Sequence, residues 1–528
     1  MSADNLTEPT RPLPASLSPE MVDRLILRAT AGPDAARVTT RAPYTQAPIA
    51  DLPMATPDQV AAAFATARRA QRQWQDTAIG DREAVVLRFH DLVLARQDEV
   101  LDMIQAENGK TRRDAFLEVG DVALTSRYYA RTAHTLLRPT RRRGAFPLLT
   151  HTTELRHPKG VVGVISPWNY PFSLAAGDTI PALLAGNAVV QKPDTQTALT
   201  ALWAATLMDE AGLPSGLWQI VLGSGRTIGS TLMDNADYMM FTGSTATGRE
   251  IAGDAGRRLI GASLELGGKN ALIVLDDANL ERAAEGAVRG AFSSSGQLCI
   301  SIERMYVQRD IYDDFVARFT ARVRALRLGT AYNYSCDVGS LTSTSQLEAV
   351  VEHVADAVAK GATVLAGGNA RPDIGPLFHE PTVLADVTPD MNLCRDETFG
   401  PVVSIYPFDN DDEVVALAND SVYGLNASVW TRDNARGRTL AARLHAGTVN
   451  INEAFGAAWG SIDAPMGGMG DSGLGRRHGA EGLLKYTEAQ TVAHQRLLGF
   501  APPRGVPYGL WAKAVTWLLK LMKRSGLK

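Results

Sequence analysis

The chain has 528 residues, of which 45% are hydrophobic and 21% charged, and a formal net charge of -4 at pH 7. This length exceeds what one hydrophobic core usually supports and predicts about two to four domains of an ordinary globular protein. The small net charge gives no electrostatic reason to expect nucleic acid as a partner.

Helical patterns dominate the first part of the chain. Residues 1 to about 18 are polar and proline-rich, which predicts a loose leader, and acids and prolines stand where a secretory signal needs a basic and then an apolar region. From Thr56 to Leu137 the apolar spacing predicts amphipathic surface helices. No run reaches the roughly 18 apolar residues of a membrane-spanning helix, so we expect a protein that is neither exported nor transmembrane.

Beyond Arg156 short apolar runs alternate with helical stretches. The predicted strands are GVVGVIS, NAVVQK, WQIVLG and YMMFTG, and the helices after them are Phe172 to Leu184, Thr197 to Ala211, Thr227 to Met233 and Thr245 to Ala255. This alternation predicts an α/β fold with a parallel sheet, covered on both faces, whose ligand site lies at the carboxyl ends of the strands. A second strand and helix series starts at ASLELGGKNALIVL and reaches about Pro465.

Two glycine-bearing turns follow successive predicted strands. GSGRTIG spaces its glycines one residue too widely for the usual dinucleotide fingerprint, and FTGSTATG is a second turn whose amides can face phosphate. Helix caps and tight turns explain either turn alone. The two together favour a nucleotide.

Cysteine usage indicates a reducing compartment. Cys299, Cys336 and Cys394 are too few and too scattered for a disulfide framework, and none belongs to a CxxC metal or redox pair. We therefore expect a cytoplasmic protein without a metal site. Cys299, which follows a run of small residues, is either a buried core residue or a nucleophile on a crowded turn.

Three polar residues near predicted strand ends favour the nucleophile. Asn169, Glu265 and Glu397 stand among glycines, prolines and aromatic residues. Each alone is compatible with a structural role, because buried carboxylates often satisfy backbone amides. Together they provide the companions that a catalytic thiol requires.

The chain resembles the aldehyde dehydrogenase superfamily from about Pro43 to Thr491. Seven motifs in family order carry this resemblance, namely PWNYP, QKP, FTGSTATG, LELGGK, SSSGQLC, ETFGP and PMGGMGDSGLGR. The resemblance implies a Rossmann-like cofactor domain, a second α/β catalytic domain and a small β oligomerisation ribbon. We expect the cofactor domain at 1–141, 159–266 and 466–483, the catalytic domain at 267–465, the ribbon at 142–158 and 484–500, and a tail at 501–528.

By this resemblance, Cys299 attacks the aldehyde carbon to give a thiohemiacetal, whose oxyanion the Asn169 side chain and the Cys299 amide hold. Hydride transfer leaves a thioester, and Glu265 is the general base for its hydrolysis. The branch that passes its acyl group to coenzyme A lacks this glutamate, so a free acid is expected. The rival classes are an acylating dehydrogenase, a cysteine hydrolase and an inactive binding protein of the same fold.

The resemblance also implies a nicotinamide cofactor. It places Lys192 at the adenosine ribose, Gly243 and Ser244 near the pyrophosphate, and Glu397 with Phe399 at the nicotinamide end. The other expected cofactor-binding residues are Ser166, Pro167, Trp168, Thr195, Gly225 and Leu266. NAD-preferring relatives commonly carry a glutamate where this chain has Thr195, so we expect NADP, with NAD left open.

The wording of the sequence is similar to the succinate-semialdehyde dehydrogenase branch. Members of that branch grip the distal carboxylate with arginines at positions that in this chain are Gly177 and Ser293. Arg127 or Arg131 on the preceding helix either substitutes for them or is a solvated helix charge. A medium-chain or aromatic aldehyde is the alternative substrate.

Two further segments indicate contacts with other molecules. The threonine-rich stretch Phe146 to Pro158 predicts an inserted ribbon that joins subunits into a dimer or tetramer. The stretch LWAKAVTWLLKLMKR predicts an amphipathic helix in a region with six basic residues and no acid from Leu498 onward. This helix either docks on the folded body or a partner subunit, or lies on an anionic membrane surface.

Overall fold

The computed structural model describes residues 13–144, 150–496 and 501–526. Two units are distinguished: Leu137–His157 with Thr487–Lys528 form the smaller, and the remainder forms the larger. In the described ranges, no helix combines the length and the apolar character needed to cross a lipid bilayer.

Helices and strands share the described residues in the following chain order. The helices are α1 (Pro19–Ile26), α2 (Pro57–Trp74), α3 (Ile79–Ala95), α4 (Gln97–Asn108), α5 (Arg112–Leu137), α6 (Pro171–Leu184), α7 (Ala198–Glu210), α8 (Gly225–Asn235), α9 (Thr245–Arg258), α10 (Leu280–Phe292), α11 (Tyr312–Arg324), α12 (Thr344–Ala359), α13 (Asn392–Arg395), α14 (Asp411–Asn419), α15 (Asn434–Ala441), α16 (Gly456–Trp459), α17 (Gly479–Leu484) and α18 (Tyr508–Arg524). The strands are β1 (Arg37–Arg41), β2 (Pro48–Pro53), β3 (Thr140–Arg143), β4 (Thr150–Pro158), β5 (Val161–Ser166), β6 (Ala188–Pro193), β7 (Trp218–Ile220), β8 (Tyr238–Thr242), β9 (Gly261–Glu265), β10 (Asn270–Val274), β11 (Ile302–Gln308), β12 (Thr363–Ala366), β13 (Thr382–Ala385), β14 (Val402–Phe408), β15 (Tyr423–Gly424), β16 (Asn426–Trp430), β17 (Thr448–Ile451), β18 (Met469–Gly470), β19 (Gly473–Leu474) and β20 (Thr487–Gln495).

The N-terminal helices form as their sequence predicts. At the start of α2, Thr56 and Gln59 make a reciprocal capping box, which satisfies two otherwise unpaired backbone donors. The predicted leader is wrong for its described part: Leu17 is buried, and the Ser16 hydroxyl donates to Asp102 at 2.6 Å. Residues 1–12 of that leader lie outside the described residues.

The predicted alternation of strand and helix is confirmed in the first sheet. Over the described residues the strand order is β19-β9-β8-β5-β6-β7, with β5 to β9 parallel and β19 antiparallel to β9. Helices α6 to α9 are the crossovers between the parallel strands. Because these strands run in one direction, their carboxyl ends lie at one edge, where a ligand site is expected.

The second sheet is built on the same principle. Its described strand order is β12-β13-β14-β11-β10-β16-β17, all parallel except for β12. Every residue of β10 and β16 is buried, as expected for parallel strands covered on both faces. An apolar core that includes Phe292, Phe315 and Phe319 packs α10 and α11 against this sheet.

The smaller unit contains the ribbon and the C-terminal helix. Strands β20, β4 and β3 form a sheet in that order, and β3 pairs with β4 antiparallel. Residues 145–149 and 497–500 of the predicted ribbon, and 527–528 of the predicted tail, lie outside the described residues. Within 501–526, α18 forms where the amphipathic pattern predicts it, and none of its residues is buried.

Candidate active site

Cys299 lies on the tight turn between α10 and β11. The chain enters this turn through Ser294 and Ser295, which have φ angles of 51° and 56°, followed by Gly296 at φ 71°. A Cβ on Gly296 would collide with the carbonyl group of Gly400. Small residues therefore precede the cysteine because the turn adopts left-handed backbone in a crowded place. The thiol is free and the residue is half-buried.

The carbonyl side of Cys299 is fixed by the LELGGK segment. The Asn270 side chain donates to the Cys299 carbonyl oxygen at 2.8 Å. A Cβ on Gly268 would come within 2.6 Å of the same oxygen. Glycine is thus required at this position to let the two segments approach, which brings Glu265 at the end of β9 close to the cysteine turn.

Asn169 is placed between β5 and α6. Its side-chain Nδ2 donates to the Gln297 carbonyl oxygen at 3.1 Å, and the residue is buried. Because an amide nitrogen carries two N–H groups, one donor remains for another acceptor. Asn169 lines both cavities to which Cys299 belongs.

A buried ion pair that the sequence patterns did not reveal holds Asn169 in place. Lys110 Nζ lies 2.8 Å from Glu118 Oε1 with both side chains fully buried, and it donates to the Asn169 carbonyl oxygen at 2.6 Å. The other Glu118 oxygen accepts from the amides of Phe172 and Ser173 at the start of α6. The pair thus fixes the turn between β5 and α6 from beneath.

Glu265 is a buried carboxyl that shares a cavity with Cys299. Burial raises the pKa of Glu265 to about 7, against the opposing effect of Arg477 and Lys485. Its Oε1 has no hydrogen-bond partner within the described structure. Near neutral pH this carboxyl is therefore present in both protonation states, with an oxygen available to accept a proton.

The thiol itself is not ionised by its protein surroundings. Burial raises the pKa of Cys299 to about 12, and the carboxyls of Glu397 and Glu265 add to this effect. The expected thiolate is therefore not preformed. Sulfur must lose its proton as it reacts, and an added positive charge nearby would favour that loss.

A cavity of about 200 Å³ joins the chemistry to the edge of the first sheet. It brings together seven of the predicted cofactor residues with Asn169, Glu265 and Cys299; the seven are Pro167, Trp168, Gly243, Ser244, Leu266, Glu397 and Phe399. Thr242, Gly267 and Gln346 also line it. Ser166, Lys192, Thr195 and Gly225 do not line it, but they lie at or just beyond the carboxyl ends of β5, β6 and β7.

The glycine turns also act as helix starts. Ser224 and Ser244 accept from the amides of Thr227 and Thr247 as N-caps of α8 and α9. A Cβ on Gly243 would meet the Phe241 ring at 2.6 Å, so glycine is required there, whereas Gly225 faces open space. Capping and ligand binding are compatible, since amides beyond the cap still point at the sheet edge.

Lys192 at the end of β6 tests whether these residues fit a dinucleotide. Burial lowers its pKa, and within the described part of the chain no acceptor is within hydrogen-bond or ion-pair distance of its ammonium group. A partly desolvated cation without a partner fits hydroxyl and phosphate oxygens. Ser166, by contrast, is engaged internally, because its hydroxyl accepts from Gln191 at 3.0 Å.

The ETFGP turn is held by a second buried ion pair that the sequence patterns did not reveal. Lys269 Nζ lies 2.6 Å from Glu303, whose carboxylate accepts from the amides of Thr398 and Phe399. This anchoring supports Phe399 at φ 52° and places its ring edge-on to Trp168, with centroids 5.6 Å apart.

Glu397 in this turn contacts the glycines of LELGGK. Its Oε1 accepts from the Gly268 amide at 2.8 Å, and a Cβ on Gly267 would collide with its carboxylate. Burial, with a smaller effect of Glu303, raises the pKa of Glu397 to about 8.

A narrow second cavity of about 30 Å³ lies on the other side of Cys299. Its lining is mostly apolar and is formed by Asp121, Asn169, Tyr170, Ser173, Leu174, Leu298, Cys299, Ile300, Phe455, Trp459, Met466 and Arg477. Arg477, which follows the last glycine motif, was not singled out from the sequence. Arg127 and Arg131 line a separate cavity of about 680 Å³ that shares no residue with this one, so neither reaches Cys299 there.

Comparison with known proteins agrees with this geometry. The aldehyde dehydrogenase family model matches residues 30–492. A Mycobacterium ulcerans protein, provisionally named succinate-semialdehyde dehydrogenase NADP(+) 2, is 54% identical, covering 92% of this chain and 94% of its own. A protein of the same name from Mycobacterium tuberculosis H37Rv is 52% identical, covering 96% and 99%. The structure of Staphylococcus aureus betaine aldehyde dehydrogenase with NAD+ superposes with a TM-score of 0.84 at 30% identity, covering 90% and 96%.

Proposed function

Because the chain belongs to the aldehyde dehydrogenase family, we propose that it oxidises succinate semialdehyde to succinate with NADP as the hydride acceptor. The observation that carries this proposal is the meeting of Cys299, Asn169 and Glu265 at the junction of two cavities. One cavity reaches the edge of the first sheet, and the narrow one ends at a buried polar cluster.

In this proposal the Cys299 sulfur bonds to the aldehyde carbon. The second Asn169 N–H and the Cys299 backbone N–H donate to the oxygen on which negative charge develops. Since burial keeps the thiol protonated, its proton leaves as the bond forms, and Glu265 is the carboxylate positioned in the same cavity to accept it. Bound NADP supplies a positively charged acceptor that takes a hydride from the substrate carbon.

Glu265 then promotes hydrolysis of the thioester left on Cys299. With a pKa raised to about 7 it is a stronger base than an ordinary carboxylate and is still ionised in part at neutral pH. It accepts a proton from water, whose oxygen bonds to the acyl carbon while sulfur leaves. The products are the free acid and the regenerated thiol, so coenzyme A is not required.

We propose that the two sheets divide these tasks. The first sheet, with 1–141, 159–266 and 466–483, forms the cofactor domain, and 267–465 forms the catalytic domain that carries Cys299. The position of Lys192, Thr195 and the glycine turns at one edge of the first sheet supports this division.

The proposed substrate rests on similarity and on cavity shape. The relatives at 52–54% identity carry the name succinate-semialdehyde dehydrogenase, and a cavity of about 30 Å³ favours a slender four-carbon chain over an aromatic ring. The test is NADPH formation from succinate semialdehyde, hexanal and benzaldehyde, with and without coenzyme A. We expect the highest kcat/KM for succinate semialdehyde and no effect of coenzyme A. A preference for benzaldehyde would contradict the substrate.

For the cofactor, we predict that Thr195→Glu lowers kcat/KM for NADP about 10- to 100-fold and preserves that for NAD, because a carboxylate repels a 2′-phosphate. Thr195 begins a short turn beyond β6 and is half-buried. Thr195→Gln, which has the same length without the charge, is the control and should change the ratio less than about threefold. Unchanged NADP kinetics in Thr195→Glu would show that residue 195 does not face the 2′ position.

We propose that α18 lies on an anionic membrane surface. Tyr508, Leu510 and Trp517 are each more than 60% exposed, and Lys513, Lys520 and Lys523 supply positive charge. The full chain should co-sediment with phosphatidylglycerol vesicles and less so as salt rises. The full-length double variant Lys520→Glu, Lys523→Glu should remain in the supernatant. Equal sedimentation of both proteins, or none by the wild type, would contradict the membrane surface and leave protein docking.

We also propose that the ribbon joins subunits into a dimer or tetramer. The support is β20, an edge strand whose described residues after Thr487 are all exposed and whose outer backbone groups can pair with another strand. Light scattering on the purified chain gives the assembly state, and a monomer would contradict this proposal. A cytoplasmic location is likewise proposed, on the basis of cysteine usage.

A further inference from the structure

Arg477 is the buried cation of the narrow cavity that holds Cys299. We propose that its guanidinium binds the distal carboxylate of succinate semialdehyde and thereby selects this aldehyde. This inference rests on the proposed function, since it names the group that recognises the far end of the same substrate.

The cavity gives Arg477 the required position. Among its described lining residues Arg477 is the one cation, and it shares the cavity with both Cys299 and Asn169. The Arg477 amide donates to the Met466 carbonyl oxygen at 2.6 Å, and the Met466 amide donates back at 2.8 Å. Because Met466 also lines the cavity, this two-way bridge fixes the backbone from which the guanidinium extends.

Gly177 on α6 makes room for the guanidinium. A Cβ on Gly177 would lie 3.0 Å from Arg477 Nη2, so the guanidinium occupies the space that a side chain at position 177 would take. A glycine at this buried helix position lacks the helix propensity of alanine but permits the close approach. The cation at this place is thus supplied from the C-terminal end of the domain instead of from α6.

The guanidinium has unused donors. Its ion pair joins Nη2 to Asp178 Oδ2 at 3.3 Å, while Lys485 Nζ lies 3.3 Å from the other Asp178 oxygen. Arg477 Nε is buried without an acceptor in the described structure. Because Asp178 is shared between two cations, it leaves donors of the Arg477 fork for a second carboxylate, which this planar group binds in bidentate fashion.

Asp121 is the acid that opposes a second carboxylate in this cavity. Its Oδ1 is buried without a hydrogen-bond partner in the described structure, and burial raises its pKa to about 6. A proton taken up on Asp121 when the substrate binds would remove the repulsion and provide another donor. Ser173, whose hydroxyl oxygen is also unpartnered there, lines the same end of the cavity.

The experiment compares succinate semialdehyde with butanal, which has the same carbon chain without the carboxylate. In Arg477→Met the ratio of kcat/KM for succinate semialdehyde to that for butanal should fall about 100-fold, mainly through KM. Any effect of Arg477 on Glu265 or Cys299 cancels in this ratio because both aldehydes need them. Arg477→Lys, which keeps the charge in the buried cluster but loses the fork, should lower the ratio about tenfold. Arg127→Met and Arg131→Met are matched controls and should leave the ratio unchanged.

Each outcome decides between the proposals. Equal losses for both aldehydes in both Arg477 variants, or an unchanged ratio, would overturn the role of Arg477 and leave the proposed function standing. A wild type that oxidises butanal but not succinate semialdehyde would overturn both the substrate and the role of Arg477. A wild type that oxidises neither aldehyde would overturn the proposed function itself. If Arg477→Met fails to fold, the ratio in Arg477→Lys decides.

Discussion

Replacing Cys299 by alanine lowers kcat/KM for succinate semialdehyde by about 10,000-fold or more, because no other group can carry the acyl chain. The sulfur is the one free thiol, among the described residues, that lines the cavities shared with Asn169. The measurement is NADPH formation under saturating NADP. Calorimetric binding of NADP should be unchanged, since the nucleotide site remains.

Cys336→Ala and Cys394→Ala are the matched controls for this prediction. Both thiols are free and half-buried, and neither lines the cavities that contain Cys299. Each variant should keep wild-type turnover. If Cys299→Ala keeps turnover, or if either control loses it to the same degree, the assignment of the nucleophile is wrong.

Replacing Glu265 by glutamine separates the two halves of the reaction. We expect a first turnover that forms one NADPH per site, followed by steady-state turnover about 100- to 10,000-fold below wild type, because the amide cannot accept a proton from water. The measurement is rapid mixing with excess succinate semialdehyde. Hydroxylamine, a nucleophile that needs no general base, should restore turnover by cleaving the thioester.

The pH dependence of the wild-type enzyme gives an independent check on Glu265. Burial raises its pKa to about 7, so lowering the pH below 7 protonates the carboxyl and slows thioester hydrolysis, whereas raising it above 7 brings the rate to a plateau. Loss of the first turnover along with the steady state in Glu265→Gln would show that Glu265 acts before the thioester forms. A flat profile between pH 6 and 8 would contradict its role as the base.

Local patterns predicted the fold and the central residues of the site. The apolar runs that became β5, β6, β7 and β8 carry their signal within a few residues, and so do the capped helices between them. The small residues before Cys299 were explicable only with coordinates, which show left-handed backbone at Ser294 and Ser295. A crowded turn leaves a compositional trace but not its reason.

The supporting ion pairs could not be predicted, because they depend on which segments meet in space. Lys110 supports Asn169 across 59 positions of the chain, and Glu303 holds the Phe399 amide across 96. Neither residue stands in a pattern that distinguishes it from a surface charge. Their complete burial is the physical signal, and burial of a charge is visible only after folding.

The expected substitute for the absent arginines was sought in the wrong element. Arg127 and Arg131 were near in sequence to the motif region but line a different cavity. Arg477 enters from the segment after the last glycine motif, and its proximity to Gly177 follows from the packing of distant parts of the chain. The glycine at 177 was the available signal: it marked space that another side chain had to fill.

The most direct test of covalent chemistry at Cys299 is intact-protein mass spectrometry of Glu265→Gln after mixing with succinate semialdehyde and NADP. The account predicts a mass increase of one succinyl group per chain, located by digestion to the peptide that contains Cys299 and removed by hydroxylamine. Formation of NADPH without any adduct, or an adduct located on Cys336 or Cys394, would contradict it.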